Sequence, residues 1–199
     1  MQVDVPQRVP LISILIRTSN RPQAYRRCMD SIEAQGYPNL RIIVSYDNIA
    51  ALQYTGHGTY VVPVYRQTGE YSYNLYCNAL KDAVTAGYFF FLDDDDILLP
   101  GALHAIAPYL TGPGLIVPFL RGDWQRPTAR QMRMKAVISG HIGLPCIILH
   151  HSLKSLADVG PHEFSDHDYI KEVAGKAVLN WVSIPLVRSE KRGHGAMEQ

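Results

Sequence analysis

The chain has no apolar run long enough to cross a bilayer. Its longest apolar stretches, Leu11–Ile16, Tyr88–Leu92 and Cys146–Leu149, have strand length, against the ~18 to 20 residues a membrane helix needs. Met1–Pro10 carries Asp4 and two prolines and lacks the apolar core of a signal peptide. Cysteine is scarce: Cys28, Cys77 and Cys146 are odd in number, far apart and without a CxxC. That excludes a disulfide framework and a zinc ribbon, and fits a reducing compartment. Charge of one sign is lacking too. Lys+Arg 19 against Asp+Glu 18 leaves +1, so no bulk field holds nucleic acid by its phosphates. These absences point to a cytoplasmic protein, peripheral to a membrane at most, with no nucleic-acid partner.

What is present is an ordinary globular composition of 199 residues, 47% hydrophobic and 19% charged, enough for one domain. The first half alternates. Leu11–Ile16 reads as a buried strand. Asn20 caps a helix that runs from Pro22 to about Gln35 and stops at Gly36. Arg41–Ser45 is a second strand, and Tyr60–Tyr65 a third, at an edge because of Pro63. Ser72–Ala86 reads as a helix with Leu75, Ala79, Ala83 and Ala86 on one face. Tyr88–Leu92 is wholly apolar, as in a strand covered on both faces. Further on, Ala102–Leu110 and Asp166–Ala174 look helical, and Gly114–Phe119, Cys146–His150 and Trp181–Val187 look like strands. Gly122–Arg133 reads as a polar mobile loop and Arg188–Gln199 as a loosely ordered tail. Cys28 shares a helical stripe with Tyr25, Met29 and Ile32, which gives it a core-packing role. The alternation predicts an α/β fold with a Rossmann-like, mostly parallel central sheet flanked by helices.

The strongest local signal is Asp93-Asp94-Asp95-Asp96, directly after the strand Tyr88–Leu92. Adjacent carboxylates repel one another and call for a cation. The carboxyl ends of strands in an open α/β sheet are where ligands bind. Acids there suit Mg²⁺ or Mn²⁺, which take few carboxylates and share their shell with water and phosphate. The alternative is a solvated acidic turn capping the helix that begins near Pro100. Neither GxxxxGK[ST] nor GxGxxG occurs, and Gly56-His57-Gly58 is simply a turn. A metal would then do phosphate work that a glycine loop does elsewhere.

Leu11-Ile12-Ser13-Ile14-Leu15-Ile16-Arg17-Thr18-Ser19-Asn20-Arg21-Pro22 resembles the opening of family 2 glycosyltransferases. Cys28–Ile32, Gln35–Leu40, Ile42–Asn48, Asn78–Lys81 and Phe91–Gly101 follow the same pattern in order. Weaker matches extend over Ala157–Gly160 and Ser165–Tyr169. The resemblance implies a single GT-A-type domain that binds a nucleotide-sugar donor, UDP-linked above all. Residues 11–103 would form the donor half and 104–187 the acceptor half. It implies Thr18 and Ser19 in the base pocket, Asp47 on uracil or ribose, and Arg21 and Asn78 in the donor-binding set. Asp95 would be the direct Mn²⁺ or Mg²⁺ ligand, with Asp93 or Asp94 on ribose or a metal-bound water. Asp166 would be the general base, with Asp168 the nearby second carboxylate. Without the resemblance, Asp47 reads as a turn cap and Asp166 as a helix cap.

Several positions depart from the family pattern. Arg17 stands where proline is usual, Ser19 where an aromatic is common, and Tyr46 where aspartate is frequent. Cys77 replaces an arginine and Ser165 a glutamate. The QxxRW element of processive synthases is absent, so one hexose added per encounter is expected, to a hydroxyl of a glycan or other acceptor. His194, between glycines, either reaches the diphosphate from a closing tail or belongs to a disordered end. Of His150 and His151 at most one faces the cleft. His141 is a sugar contact or a structural histidine. Trp124 stacks on an acceptor sugar or packs on its own loop. A nucleotidyltransferase would want a glycine-rich, lysine-bearing loop, which Arg17–Asn20 lacks. The departures at Cys77 and Ser165 keep an inactive binding module as the other rival.

Overall fold

The computed structural model describes residues 9–46, 49–56, 60–63 and 71–190. In chain order these form β1 (Ile12–Thr18), α1 (Pro22–Glu33), β2 (Leu40–Tyr46), β3 (Tyr60–Pro63), α2 (Tyr76–Asp82), β4 (Tyr88–Asp93) and β5 (Asp96–Leu98). There follow α3 (Ala102–Ile106), β6 (Gly114–Ile116), β7 (Phe119–Arg121), β8 (Trp124–Arg126), α4 (Ala129–Met134), β9 (Ile147–His150), α5 (Ser165–Lys176), β10 (Asn180–Trp181) and β11 (Val187–Ser189).

The main sheet has the order β10-β6-β9-β4-β1-β2-β3, with β3 at one edge as Pro63 requires. Its pairs are parallel except those of β9, which runs against both β4 and β6. The apolar strands β1 and β4 lie side by side at the centre. Alternation splits their side chains between two cores. Ile12, Ile14, Ile16, Phe90 and Leu92 meet Tyr25, Cys28 and Ile32 of α1 on one face. Leu15, Phe89 and Phe91 meet Cys77 and Leu80 of α2 and Tyr169, Ile170 and Val173 of α5 on the other. Gly87 opens β4 at φ +71, and a Cβ there would lie 2.4 Å from the Leu11 carbonyl, so this turn needs glycine. A second sheet, β5-β11-β7-β8, starts at Asp96, the last residue of the acidic run.

Prolines divide elements that the apolar pattern joins. Pro118 separates β6 from β7. Pro185 lies between β10 and β11, which belong to different sheets, so Trp181–Val187 is not one strand. Pro108 sits in a 3-10 turn, Ala107–Tyr109, that ends the helix expected to reach Leu110. Each ring removes a backbone donor. Residues 122–133 form the β7–β8 hairpin and α4 rather than a loop. Thr128 and Gln131 cap α4 reciprocally. Asn20 does not cap α1: it is left-handed at φ 48, and Arg21 holds the cap position without a side-chain bond. The expected helix at Ser72–Ala86 is a 3-10 turn, Ser72–Leu75, followed by α2. Arg188 and Ser189, expected in the tail, lie in β11.

A polar stripe positions α5. Asn74, Asn78 and Lys81 recur at helical spacing and grip the segment that leads into that helix. Asn74 Nδ2 donates to Ser165 Oγ (2.8 Å) and the His162 carbonyl (3.2 Å). Asn78 Nδ2 donates to the Val159 carbonyl (3.0 Å), and Val159 N–H donates back to Asn78 Oδ1 (2.9 Å). The buried Lys81 ammonium donates to Asp158 Oδ1 (2.6 Å) and the Lys154 carbonyl (3.0 Å).

Removing the Asn78 amide strands both Val159 groups. Asn78→Ala should lower unfolding free energy by about 1 to 3 kcal/mol in urea denaturation, and wild-type stability would contradict the clamp. All three cysteines are buried. Burial pushes the Cys77 and Cys146 thiols up to about 12 and raises Cys28 well above the usual range, the last helped by Asp94 and Asp96. Native protein at pH 8 should therefore stay silent to DTNB, and three thiols should react on unfolding.

Candidate active site

The acidic run turns the chain from β4 into β5, and the turn sorts its four carboxylates by alternation. Asp94 and Asp96 point inward and are buried, at 0% and 2% exposure. Asp93 and Asp95 stay partly open, with side chains 29% and 19% exposed. Burial pushes Asp94 up to about 7, against the pull of Arg21 and of a hydrogen bond from Thr18. Burial, with the charges of Asp93 and Asp95, pushes Asp96 up to about 8, and Glu190 N–H donates to its Oδ1 at 3.2 Å. Near neutral pH the run thus carries fewer than four full charges.

Two arginines supply the counter-charge. Arg17, the last residue but one of β1, stands in register with Asp93 and donates from Nε to its Oδ1 at 2.9 Å. Its Nη1 donates to Asn74 Oδ1 at 3.1 Å. Burial works against its charge, but the carboxylates of Asp93 and Asp166 outweigh that and raise its pKa. Arg21 pairs with Asp94 and with Asp95 Oδ2, the latter at 3.1 Å. The electrostatic demand for a cation is met within the protein, which weakens the purely electrostatic case for a metal. The donor chemistry still fits one. Asp95 is held by Arg21 through one oxygen, and Asp93 and Asp95 open toward solvent together. One or two carboxylates completed by diphosphate and water suit Mg²⁺ or Mn²⁺. Among the described residues no group of three or more His, Cys, Asp or Glu forms a cage that would hold a metal without such a ligand.

The candidate base lies across from this turn. Asp166, in the first turn of α5, interacts with Arg17, and its Oδ2 lies 3.6 Å from where a Cβ on Gly143 would be. Asp168, two residues on, faces elsewhere, as helical spacing requires. It is 58% exposed and lies 3.0 Å from His167 Nδ1 and 3.8 Å from His162 Nε2. The chain Asp93–Arg17–Asn74–Ser165 therefore connects the acidic turn to the start of α5 by three hydrogen bonds.

Other expected positions behave differently. Thr18 is buried and committed: its Oγ1 donates to Asp94 Oδ2 at 2.7 Å and lies 3.1 Å from Tyr54 OH. Asn78 is occupied by Val159 at both ends of its amide. Ser19 is exposed beside the site. Asp47 and His194 lie outside the described residues, as do His57 and Gly58. His150 pairs with Tyr88 at the far end of β4, so it and His151 stand away from Asp93. His141 Nδ1 is buried and makes no hydrogen bond among the described residues. The residue-level reading missed the pairing of Arg17 and the role of Asn74. A charged residue closing an otherwise apolar buried strand was the available signal, because such a charge needs a partner at the same level of the sheet.

The model of glycosyl transferase family 2 matches residues 13–143. No protein of curated function matches the sequence. Among solved structures, Staphylococcus aureus TarS 1–349 in complex with UDP-GlcNAc superposes with a TM-score of 0.74 at 13% identity. The match covers 94% of this chain and 60% of that one. The mannosyltransferase PcManGT from Pyrobaculum calidifontis, in complex with GDP-Man and Mn²⁺, gives 0.66 at 16% identity, covering 94% and 59%. The chain thus spans about three fifths of these two. Among the described residues no helix is long and apolar enough to cross a membrane. With its family pattern covering both the acidic turn and the strand that neutralises it, the chain belongs to glycosyl transferase family 2 and has the GT-A fold.

Proposed function

We propose that the chain transfers one hexose at a time, with inversion, from a nucleotide diphosphate sugar, UDP-linked by preference, to a hydroxyl of a glycan or other acceptor. Residues 11–103 serve the donor and 104–187 the acceptor. The observation that carries this reading is the convergence of Asp93 and Asp166 on Arg17, with Asp95 held beside them by Arg21. In the reaction the acceptor oxygen bonds to the anomeric carbon as the bond to the diphosphate oxygen breaks, through an oxocarbenium-like transition state. Asp166 accepts the acceptor proton on the face opposite the leaving group. Mn²⁺ or Mg²⁺ held by Asp95, with Asp93 beside it, would supply Lewis-acid stabilisation of the departing diphosphate. With Asp95 on such a cation, the Arg21 guanidinium would be available to the diphosphate, while its pair with Asp94 keeps the turn in place. Thr18, Asp94 and Asn78 act by holding the site together, whereas Ser19, Asp47 and His194 contact the donor. Asp168 supports the helix start, where negative charge is favoured.

The test is thermal stability against a panel of nucleotide sugars with Mn²⁺, Mg²⁺ or EDTA, followed by transfer assays. A donor at 100 times its Kd should add ~2.7 kcal/mol. Asp95→Asn should remove the metal-dependent part. Asp166→Ala should keep the donor-induced shift and lower transfer by about 100-fold or more, while Asp168→Ala stays near wild type. No shift with any donor in folded wild-type protein would contradict the proposal. So would equal losses from Asp166→Ala and Asp168→Ala.

A further inference from the structure

The second sheet carries a row of residues that starts at the acidic turn and ends in solvent. Ser189 of β11 is in register with Asp96 of β5 on one side and Arg121 of β7 on the other, and Arg121 is in register with Trp124 of β8. Residues in register on neighbouring strands project from the same face. The row is therefore Asp96, Ser189, Arg121, Trp124 on one face, over three strand spacings or roughly 14 Å. Its inner half is covered: Asp96 and Ser189 are buried. Its outer half is open: Arg121 is exposed, and Trp124 is 77% exposed. The next row inward, Leu98 and Val187 with Phe119, packs on the core, so the open half forms a ledge beside the acidic turn.

The ledge is anchored, and the segment that carries it is positively charged. Arg126 Nη1 donates to the Gly140 carbonyl at 2.8 Å, which ties β8 to the following loop. The Trp124 indole leaves most of its surface uncovered by its own loop. From Arg121 to Lys135 five cationic side chains stand against one carboxylate, in a chain with a net charge of +1. Arg130 and Arg133 share one exposed face of α4, and Met132 is buried on another.

We propose, resting on the glycosyl-transfer reading, that this ledge is the acceptor site and that it takes an anionic glycan, one bearing phosphate or carboxylate. The indole offers a flat apolar surface to a sugar ring. Arg121 pairs with the anion through a fork of donors. Asp123, in the hairpin turn beside the indole, offers a partner for hydroxyl groups. A carboxylate beside the indole suits a glycan better than the surface of an anionic bilayer. The ledge leads such a chain toward Asp96, so its terminal hydroxyl arrives at the acidic turn.

The full-length chain is titrated by calorimetry with three oligosaccharides of equal length: oligogalacturonate, a phosphomannan fragment and a neutral malto-oligosaccharide. At low salt at least one acidic chain should bind about tenfold or more tighter than the neutral one, and the gap should close as salt screens it. Whether the phosphate or the carboxylate chain binds tighter identifies the anion. Trp124→Ala and Arg121→Ala should each weaken that binding by about tenfold. Both side chains are exposed, so melting temperature and UDP-induced stabilisation should stay at wild-type values. Equal affinity for acidic and neutral chains, no binding of any chain, or wild-type affinity in both variants would overturn the proposal. Trp124-dependent binding to phosphatidylglycerol vesicles without binding of any oligosaccharide would overturn it in favour of a membrane surface. Failure of UDP-sugars to stabilise the wild type would sink the glycosyl-transfer reading instead, since the ledge titration needs no donor.

Discussion

The site depends on counter-charge at the end of β4. Two like charges ~4 Å apart at an effective dielectric of about 20 repel by ~4 kcal/mol. That is a large part of the ~5 to 15 kcal/mol by which a domain is stable. Four adjacent carboxylates could not sit at the edge of a buried sheet on those terms. Arg17 and Arg21 pair with three of them, and burial moves Asp94 and Asp96 toward their neutral forms. What remains open is a pair of carboxylates, Asp93 and Asp95, facing outward beside two guanidinium groups.

The same arginine joins the two halves of the chain. Arg17 is held by Asp93 at the end of β4 and by Asn74, which in turn holds Ser165 at the start of α5. The separation of the acidic turn from Asp166 is thus set by short, directional contacts on top of core packing. Asn78 and Lys81 extend the grip along the same face, so the loop before α5 cannot drift without breaking several buried bonds. By the family resemblance proline is usual at position 17, arginine frequent at position 77 and glutamate frequent at position 165. Here a guanidinium enters from β1 instead, a thiol fills position 77, and a serine accepts from Asn74. The three positions are neighbours in space: Asn74 bridges Arg17 and Ser165, and Cys77 acts on the charge of Arg17.

Much of this was legible in the sequence. Long apolar strands, the Pro22 start and Gly36 stop of α1, and the acidic run after Tyr88–Leu92 were readable because each has one dominant local cause. Three things were not. Pro108, Pro118 and Pro185 cut apolar segments whose hydrophobicity is continuous, because apolar pattern reports burial and not backbone donors. The hairpin and α4 in residues 119–134 mix polar and apolar residues without a clean period and are held by a reciprocal cap and cross-strand pairing, which a hydrophobic period does not register. The use of Asn74, Asn78 and Lys81 as a clamp depended on partners some 70 to 90 residues away. For the same reason Thr18 and Asn78, read as donor contacts, proved committed to Asp94, Tyr54 and Val159.

The most direct test of the account is crystallographic: the chain grown with UDP and Mn²⁺, with anomalous scattering used to locate the metal. The account predicts one strong anomalous peak against Asp95 with the diphosphate on it, Arg21 turned away from Asp95 and still paired with Asp94, and Asp166 across the site from the metal. A nucleotide bound away from the β4–β5 turn, or a metal held by residues that exclude Asp93 and Asp95, would contradict it.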